Sequence, residues 1–267
     1  MGICIVFVSI ALLYVFVLRG RTGHNDFAAI VGWSYAHRGL HGNGVPENSI
    51  AAFDKALNAG YGIELDVHLM LDGKLAVIHD SSLKRTTGAD VMIEDITANQ
   101  LDGYCLEGTA EKVPLLSNVL ELLQGKAPLI IELKSTKKNY AQLCQAACNL
   151  LDTYSGPYCI ESFDSRCVAW LRKNRKDIIR GQLAEDFFRS GSKLPFVLKF
   201  ALKYHLFNFI TRPDFVAYRF EDRKNLSNFL CRKLWGVKGF SWTIRTIEDY
   251  KTAVSEGLMP IFENFRP

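Results

Sequence analysis

The chain has 267 residues, 48% of them apolar, and carries 32 Lys+Arg against 28 Asp+Glu for a formal net charge of +4. This is enough for one α/β domain of ~250 residues with a large core and a short appendage. The basic excess suits an anionic substrate or an anionic membrane surface and is too small to argue for nucleic acid.

The seven cysteines are odd in number and form no tight framework, so disulfide stapling is not implied. Cys144 and Cys148 lie one helical turn apart beside Leu143 and Ala147, a core pattern without zinc spacing. Several free thiols suit a reducing compartment.

Ile3–Leu18 is an apolar run of 16 residues with only Ser9 and Tyr14 mildly polar. As a helix it spans ~24 Å, against a hydrocarbon core of ~30 Å. Met1 and Gly2 extend it, and Arg19 and Arg21 are placed to snorkel. Nothing basic precedes Ile3, so residues 1–21 read as an uncleaved single-pass transmembrane anchor rather than a secretory signal. The positive-inside rule then puts the rest of the chain on the cytoplasmic side. Residues 22–32 read as a connector and 33–267 as the main domain.

Trp33–Ala36 is a short β-prone run ending at His37-Arg38-Gly39. Ser49 caps a helix with Phe53, Ala56 and Leu57 on one face and Gly60 at its end. Ile63–Val67 alternates apolar and acidic residues, so Glu64 and Asp66 project together from a strand. Paired carboxylates repel unless a cation or proton lies between them, and Mg²⁺ or Ca²⁺ prefers such oxygens. The bland alternative is an acidic, solvated strand face. Asp72-Gly73 is a tight turn, and Leu75–Ile78 delivers His79-Asp80. Each histidine thus ends a strand, where parallel α/β folds place their chemistry. Two imidazoles near neutral pKa can share the proton transfers of phosphodiester cleavage, and the Arg38 fork suits a phosphate.

Residues 81–113 are irregular. Beyond Pro114, Leu115, Val119, Leu120, Leu122 and Leu123 mark an amphipathic helix stopped by Gly125. On the strand Pro128–Lys134, Glu132 and Lys134 share a face; a surface salt pair there would contribute at most ~1 kcal/mol. The rest alternates strand and helix, with strand starts near 33, 63, 129, 158, 179, 215, 239 and 260. That pattern predicts a parallel sheet, with an open doubly wound sheet as the alternative to closure. Leu194–Ile210 is apolar nearly all round, either a buried barrel helix or one that docks on a bilayer.

His37-Arg38-Gly39, Pro46-Glu47-Asn48-Ser49, Glu64-x-Asp66, Asp72-Gly73 and His79-Asp80, with Glu132-Leu133-Lys134 and Ser241-Trp242-Thr243 further on, resemble the glycerophosphodiester phosphodiesterase family. The resemblance covers about Ser34 to Phe265. It implies a TIM (β/α)8 barrel with a small early insertion over residues 81–113. It implies one divalent cation, Mg²⁺ or Ca²⁺, on Glu64, Asp66 and Glu132, with His37 and His79 as acid and base. Arg38 and Lys134 would meet the phosphate and Trp242 would wall the glycerol pocket. Glu47 would steady either the metal site or its loop. A polar amide common in the family after the Trp-Thr pair is replaced here by Ile244-Arg245. The implied reaction is hydrolysis of a glycerophosphodiester to glycerol 3-phosphate and an alcohol. A lysophospholipase D acting at the membrane is the alternative, and a non-catalytic, membrane-tethered binding barrel is the alternative of another class.

Overall fold

The structure, a computed structural model, describes residues 2–136 and 139–267. In chain order the elements are α1 (Gly2–Val17), β1 (Tyr35–His37), α2 (Ile50–Asn58), β2 (Gly62–Leu69), β3 (Leu75–Val77), α3 (Lys84–Thr87), α4 (Leu116–Leu123), β4 (Leu129–Leu133), α5 (Tyr140–Leu151), β5 (Tyr158–Ser162), α6 (Ser165–Asn174), β6 (Arg180–Ala184), α7 (Phe196–Lys203), α8 (Asn208–Thr211), β7 (Phe215–Arg219), α9 (Leu226–Trp235), β8 (Lys238–Ile244), α10 (Ile247–Ser255) and β9 (Met259–Phe262).

The strands β1, β2, β4, β5, β6, β7, β8 and β9 are parallel, and β1 pairs with both β2 and β9, so the sheet is closed. The expected eight-strand barrel therefore holds over the open sheet. β3 lies outside the ring as the antiparallel partner of β2, turned at Asp72-Gly73. Strands such as Leu129–Leu133 are buried throughout, as expected where helices cover one face of a parallel sheet and the barrel interior the other. Gly181 has no room for a Cβ, because the Phe215 ring lies 2.1 Å from where that atom would sit.

The outer layer packs Phe53, Leu116, Val119, Leu143, Cys144 and Leu171 against the strands. Segment 81–113 wraps its own small core of Ile78, Leu83, Ile93, Ile96, Leu101 and Leu106 beside the β2–β3 hairpin. The barrel interior holds Tyr35, Ile130, Phe215 and Phe240, and the segment before β1 packs into it through Phe27 and Ile30.

Two expectations at the N-terminus are corrected. Among the described residues, no helix is long and apolar enough to cross a membrane. The single-pass anchor, the membrane location and the cytoplasmic orientation derived from it are therefore not supported. The physical reason is length: α1 has 16 residues, ~24 Å at the usual rise. Its last turns are also tied to the barrel. Tyr14 hydroxyl meets Ser227 Oγ at 2.5 Å, Trp235 Nε1 donates to the Val15 carbonyl at 2.7 Å, and Leu18 is buried. Arg21 does not snorkel, since its guanidinium pairs with the buried Asp214 at 2.5 Å.

Leu194–Ile210 is neither a buried helix nor one continuous interfacial helix. It breaks into α7 and α8 around His205, whose φ is +55°. Phe196, Val197, Phe200, Phe209 and Ile210 are exposed, whereas Leu202, His205, Asn208 and Thr211 are buried. Neither ring nitrogen of His205 has a partner, and burial pushes its pKa from 6.5 down to about 4. Unfolded His205 binds a proton below 6.5 and the folded form resists it until about 4. Stability should therefore fall as pH drops through that window, by about 3 kcal/mol in all. Urea unfolding at pH 7 and 4 reads this directly, and His205→Phe should remove that share of the loss. An unchanged pH dependence in His205→Phe would contradict it.

Candidate active site

The site is built at the C-terminal ends of β1, β2 and β4. His37 ends β1, Glu64 and Asp66 lie on β2, and Glu132 lies on β4 opposite Asp66 in register. Arg38 and Asn48 both adopt left-handed backbone, with φ of +56° and +53°. Asn48 N donates to the Arg38 carbonyl at 2.9 Å, which folds the Pro46–Ser49 loop back over β1. Gly39 is required at the crossing: its φ is +79°, and a Cβ would lie 2.8 Å from Ala52. Ser49 Oγ accepts from Ala52 N at 3.1 Å and starts α2 there.

Glu64, Asp66 and Glu132 are buried, and one carboxylate oxygen from each lies within 4.8 Å of the others. Their charges are partly met. Arg38 Nε is 3.3 Å from Asp66, while Lys134 Nζ is 3.0 Å from Asp66 and 2.8 Å from Glu132. Asn48 Nδ2 donates to Asp66 at 2.8 Å, and Arg38 N donates to Glu64 at 3.1 Å. Burial raises each of these carboxyls, and the neighbours then separate them. Lys134, His79 and Arg38 overcome burial at Asp66 and hold it well below the ordinary range. Burial together with Asp66, Glu132 and Glu161 pushes Glu64 well above it. Burial outweighs Lys134 at Glu132 and lifts it to about 7. Buried carboxyls in excess of their cations fit a divalent ion of either size.

Each histidine is backed by a carboxylate. His37 Nδ1 meets Glu263 at 2.6 Å, with Nε2 3.9 Å from Glu64. His79 Nδ1 meets Asp80 at 2.6 Å, and Arg85 braces Asp80 at 2.5 Å and Glu47 at 2.6 Å. Burial lowers both imidazole pKa values, while the facing carboxylates, Glu263 and Asp66 at His37 and Asp66 and Asp80 at His79, pull the other way. Burial and the His37 hydrogen bond oppose each other at Glu263, and the bond wins, bringing that carboxyl to about 2. His37, Arg38, Glu64, His79, Glu132, Lys134 and Trp242 line one cavity of about 250 Å³, with Asp66 beneath it. Every residue singled out from the sequence is thus brought to one place.

Several lining residues were not singled out. Glu263 sits just beyond β9, where no alternation marks it. Glu161 on β5 is buried with Oε2 unpartnered and pairs in register with Glu132; burial, then Glu132, pushes its pKa well up. Its place two residues before Phe163 on an apolar run was the available signal. Glu47, which the resemblance set to steady either the metal site or its loop, lines the cavity too and joins Arg38 at 3.0 Å to Arg85. Arg245, standing where the amide was expected, lines the cavity 3.5 Å from Glu263. Trp242 packs edge-on against Phe163 at 5.5 Å.

The pocket thus sits in a closed parallel barrel, lined from the ends of its strands. Residues 37–265 match the Glycerophosphoryl diester phosphodiesterase family, and the chain belongs to it. A glycerophosphodiester phosphodiesterase from Caldanaerobacter subterraneus is 32% identical over 236 residues, 84% of this chain and 90% of that one. One from Bacillus altitudinis is 44% identical over 115 residues, 40% of this chain, which spans 46% of that protein's length. Lysophospholipase D GDPD1 of Rattus norvegicus is 35% identical over 112 residues, 37% of this chain and 35% of that one. A phosphodiesterase from Oleispira antarctica, solved with the product sn-glycerol-3-phosphate, shares the fold with a TM-score of 0.74 at 22% identity, over 89% of this chain and 94% of that one.

Proposed function

We propose that the chain hydrolyses a glycerophosphodiester to glycerol 3-phosphate and an alcohol, with residues 33–267 as the catalytic unit. The observation that carries this is the pair of carboxylate-backed histidines lining the cavity of the buried acid trio. Glu64, Asp66 and Glu132 would hold a divalent cation, which when bound offsets charge on a phosphoryl oxygen. Arg38 and Lys134 orient the phosphate and offset its charge as it develops in the transition state. Glu263 and Asp80 occupy the two Nδ1 atoms, so proton transfer runs through Nε2 of each ring. One histidine takes a proton from the attacking oxygen as the bond to phosphorus forms. The other, in its imidazolium form, gives its Nε2 proton to the alcohol oxygen as that oxygen's bond to phosphorus breaks. Trp242 walls the glycerol.

The test is the full chain with glycerophosphocholine under Mg²⁺, Ca²⁺ or EDTA. Metal-dependent release of glycerol 3-phosphate supports the reading. A folded protein silent on every soluble and acylated diester would support an inert binding barrel instead.

One observation favours an acylated substrate as a second reading. Phe163 lines the catalytic cavity and also a second, largely apolar cavity of about 660 Å³ bounded by Leu194, Leu198, Leu202, Phe207 and Ile210. The aromatic row Trp242–Phe163–Phe187 leads from one to the other. An acyl chain on the glycerol could lie there, as in a lysophospholipase D. Leu198→Gln should then lower kcat/KM for lysophosphatidylcholine roughly 10-fold and leave glycerophosphocholine unaffected. Equal effects on both substrates would dismiss the acyl reading.

A further inference from the structure

The floor of the barrel, at the strand ends away from the catalytic cavity, holds a separate concentration of charge. Arg19, Arg21, Arg172, Lys176, Arg180 and Arg212 line a cavity of about 550 Å³ together with Trp235. No carboxylate lines it among the described residues, and of these six side chains only Arg21 pairs with an acid, Asp214 behind the wall.

Arg172, Arg180 and Arg212 are held by neutral carbonyls, which fix their direction and leave their charge. Arg172 Nη1 donates to Phe209 O at 3.0 Å and to Ile210 O at 2.5 Å. Arg212 Nη1 donates to Arg19 O at 3.2 Å, and the Arg19 guanidinium stacks over Trp235 at 5.5 Å. Arg180 is the informative one. It is only 2% exposed, donates from Nε to Thr211 O at 3.1 Å and from Nη2 to Arg212 O at 2.8 Å, and leaves Nη1 with no partner. A buried guanidinium nitrogen without an acceptor carries a desolvation cost, and Arg180 is one of the residues that line the cavity. Burial, then Arg21 and Arg172 against an opposing Asp214, lowers the Arg180 pKa to about 10.

We propose that this cavity is a second binding site, for a multiply charged phosphate group, distinct from the catalytic pocket. Planar forks with fixed direction match phosphate oxygens in pairs, and a Lys beside them adds an unconstrained charge. The phosphate belongs either to a soluble anion or to an anionic phospholipid headgroup, which present the same oxygens. Either source makes binding strongly salt-dependent. The assignment does not depend on what the catalytic pocket hydrolyses.

The full chain is titrated calorimetrically with inorganic pyrophosphate in low salt and EDTA, the chelator suppressing metal-dependent binding at the acid trio. In parallel it is sedimented with vesicles of phosphatidylcholine alone or with phosphatidic acid. Saturable pyrophosphate binding, or sedimentation that requires phosphatidic acid, supports the site; the arm that responds names the source. Arg19→Gln with Lys176→Gln, both at exposed positions, should weaken that binding roughly 10-fold or more with unchanged turnover and unfolding temperature. Arg180→Lys keeps the charge and loses the fork, and should weaken it as well. Binding in neither arm, binding indifferent to all three substitutions, or sedimentation equal on neutral vesicles would overturn the proposal.

Discussion

His37→Ala and His79→Ala should each lower turnover of glycerophosphocholine by roughly 10²–10⁴-fold, the range for losing one positioned acid or base, with little change in unfolding temperature. Both rings line the cavity, and each is fixed through Nδ1 by its own carboxylate at 2.6 Å. Removing a ring leaves the phosphate contacts of Arg38 and Lys134 in place, so the loss should fall on kcat more than on KM. Glu263→Gln and Asp80→Asn weaken orientation only, and should cost less than removal of the ring each supports. The double variant His37→Ala/His79→Ala should be little worse than either single one, because the two act in one step. Full activity in either single alanine variant would refute the assignment.

A divalent cation should raise the unfolding temperature by about 5–10 °C at 100-fold excess over Kd, from a linkage contribution of about 2.7 kcal/mol, and the gain should grow with pH. The sign follows from the carboxyls. Glu132 titrates at about 7 instead of 4.5, and Glu64 is also raised. The folded apoprotein thus keeps protons that the unfolded chain has already lost, and its stability falls as pH rises from about 4.5 through about 7. A cation displaces those protons, which costs least where they are already leaving. Asp66, kept charged by Lys134, His79 and Arg38 against its own burial, is ready to ligate throughout. Scanning calorimetry at pH 5 and 8, with Mg²⁺, Ca²⁺ or EDTA, measures the effect. Glu64→Gln should abolish the cation's contribution and, with one fewer buried acid, stabilise the apoprotein at pH 8. A cation effect that shrinks as pH rises, or survives in Glu64→Gln, would place the ion elsewhere.

The sequence by itself determined what depends on local periodicity. The alternation at Ile63–Val67 put Glu64 and Asp66 on one side of a strand, and Ser49 marked a helix start that the structure keeps at Ile50. The β-prone runs before His37 and His79 placed both imidazoles at strand ends, and the alternation of strands and helices predicted a parallel sheet, with the family resemblance helping to set the count at eight. Each of these follows from a backbone repeat of two or 3.6 residues, readable without knowing where the chain goes next.

Only the tertiary structure decided what depends on closure. Glu263 backs His37 across 226 positions of sequence, a meeting that exists because β9 closes on β1. Glu161 joins the acid cluster because β5 pairs beside β4; its apolar run marks it as an acid on a strand, and only the pairing sets it beside Glu132. The apolar run Ile3–Leu18 could not distinguish a span from a shorter helix docked at one end. Tyr14–Ser227 and Trp235–Val15 tie the end of α1 down. Likewise Leu194–Ile210 read as one apolar helix until His205 turned the chain and gave its two halves different surroundings. Arg19, Arg180 and Arg212 look like scattered surface charges along the chain; folding gathers them because the floor of the barrel brings together the start of β6, the end of α8 and the segment after α1. Local pattern states which way a side chain points, and long-range packing states what it points at.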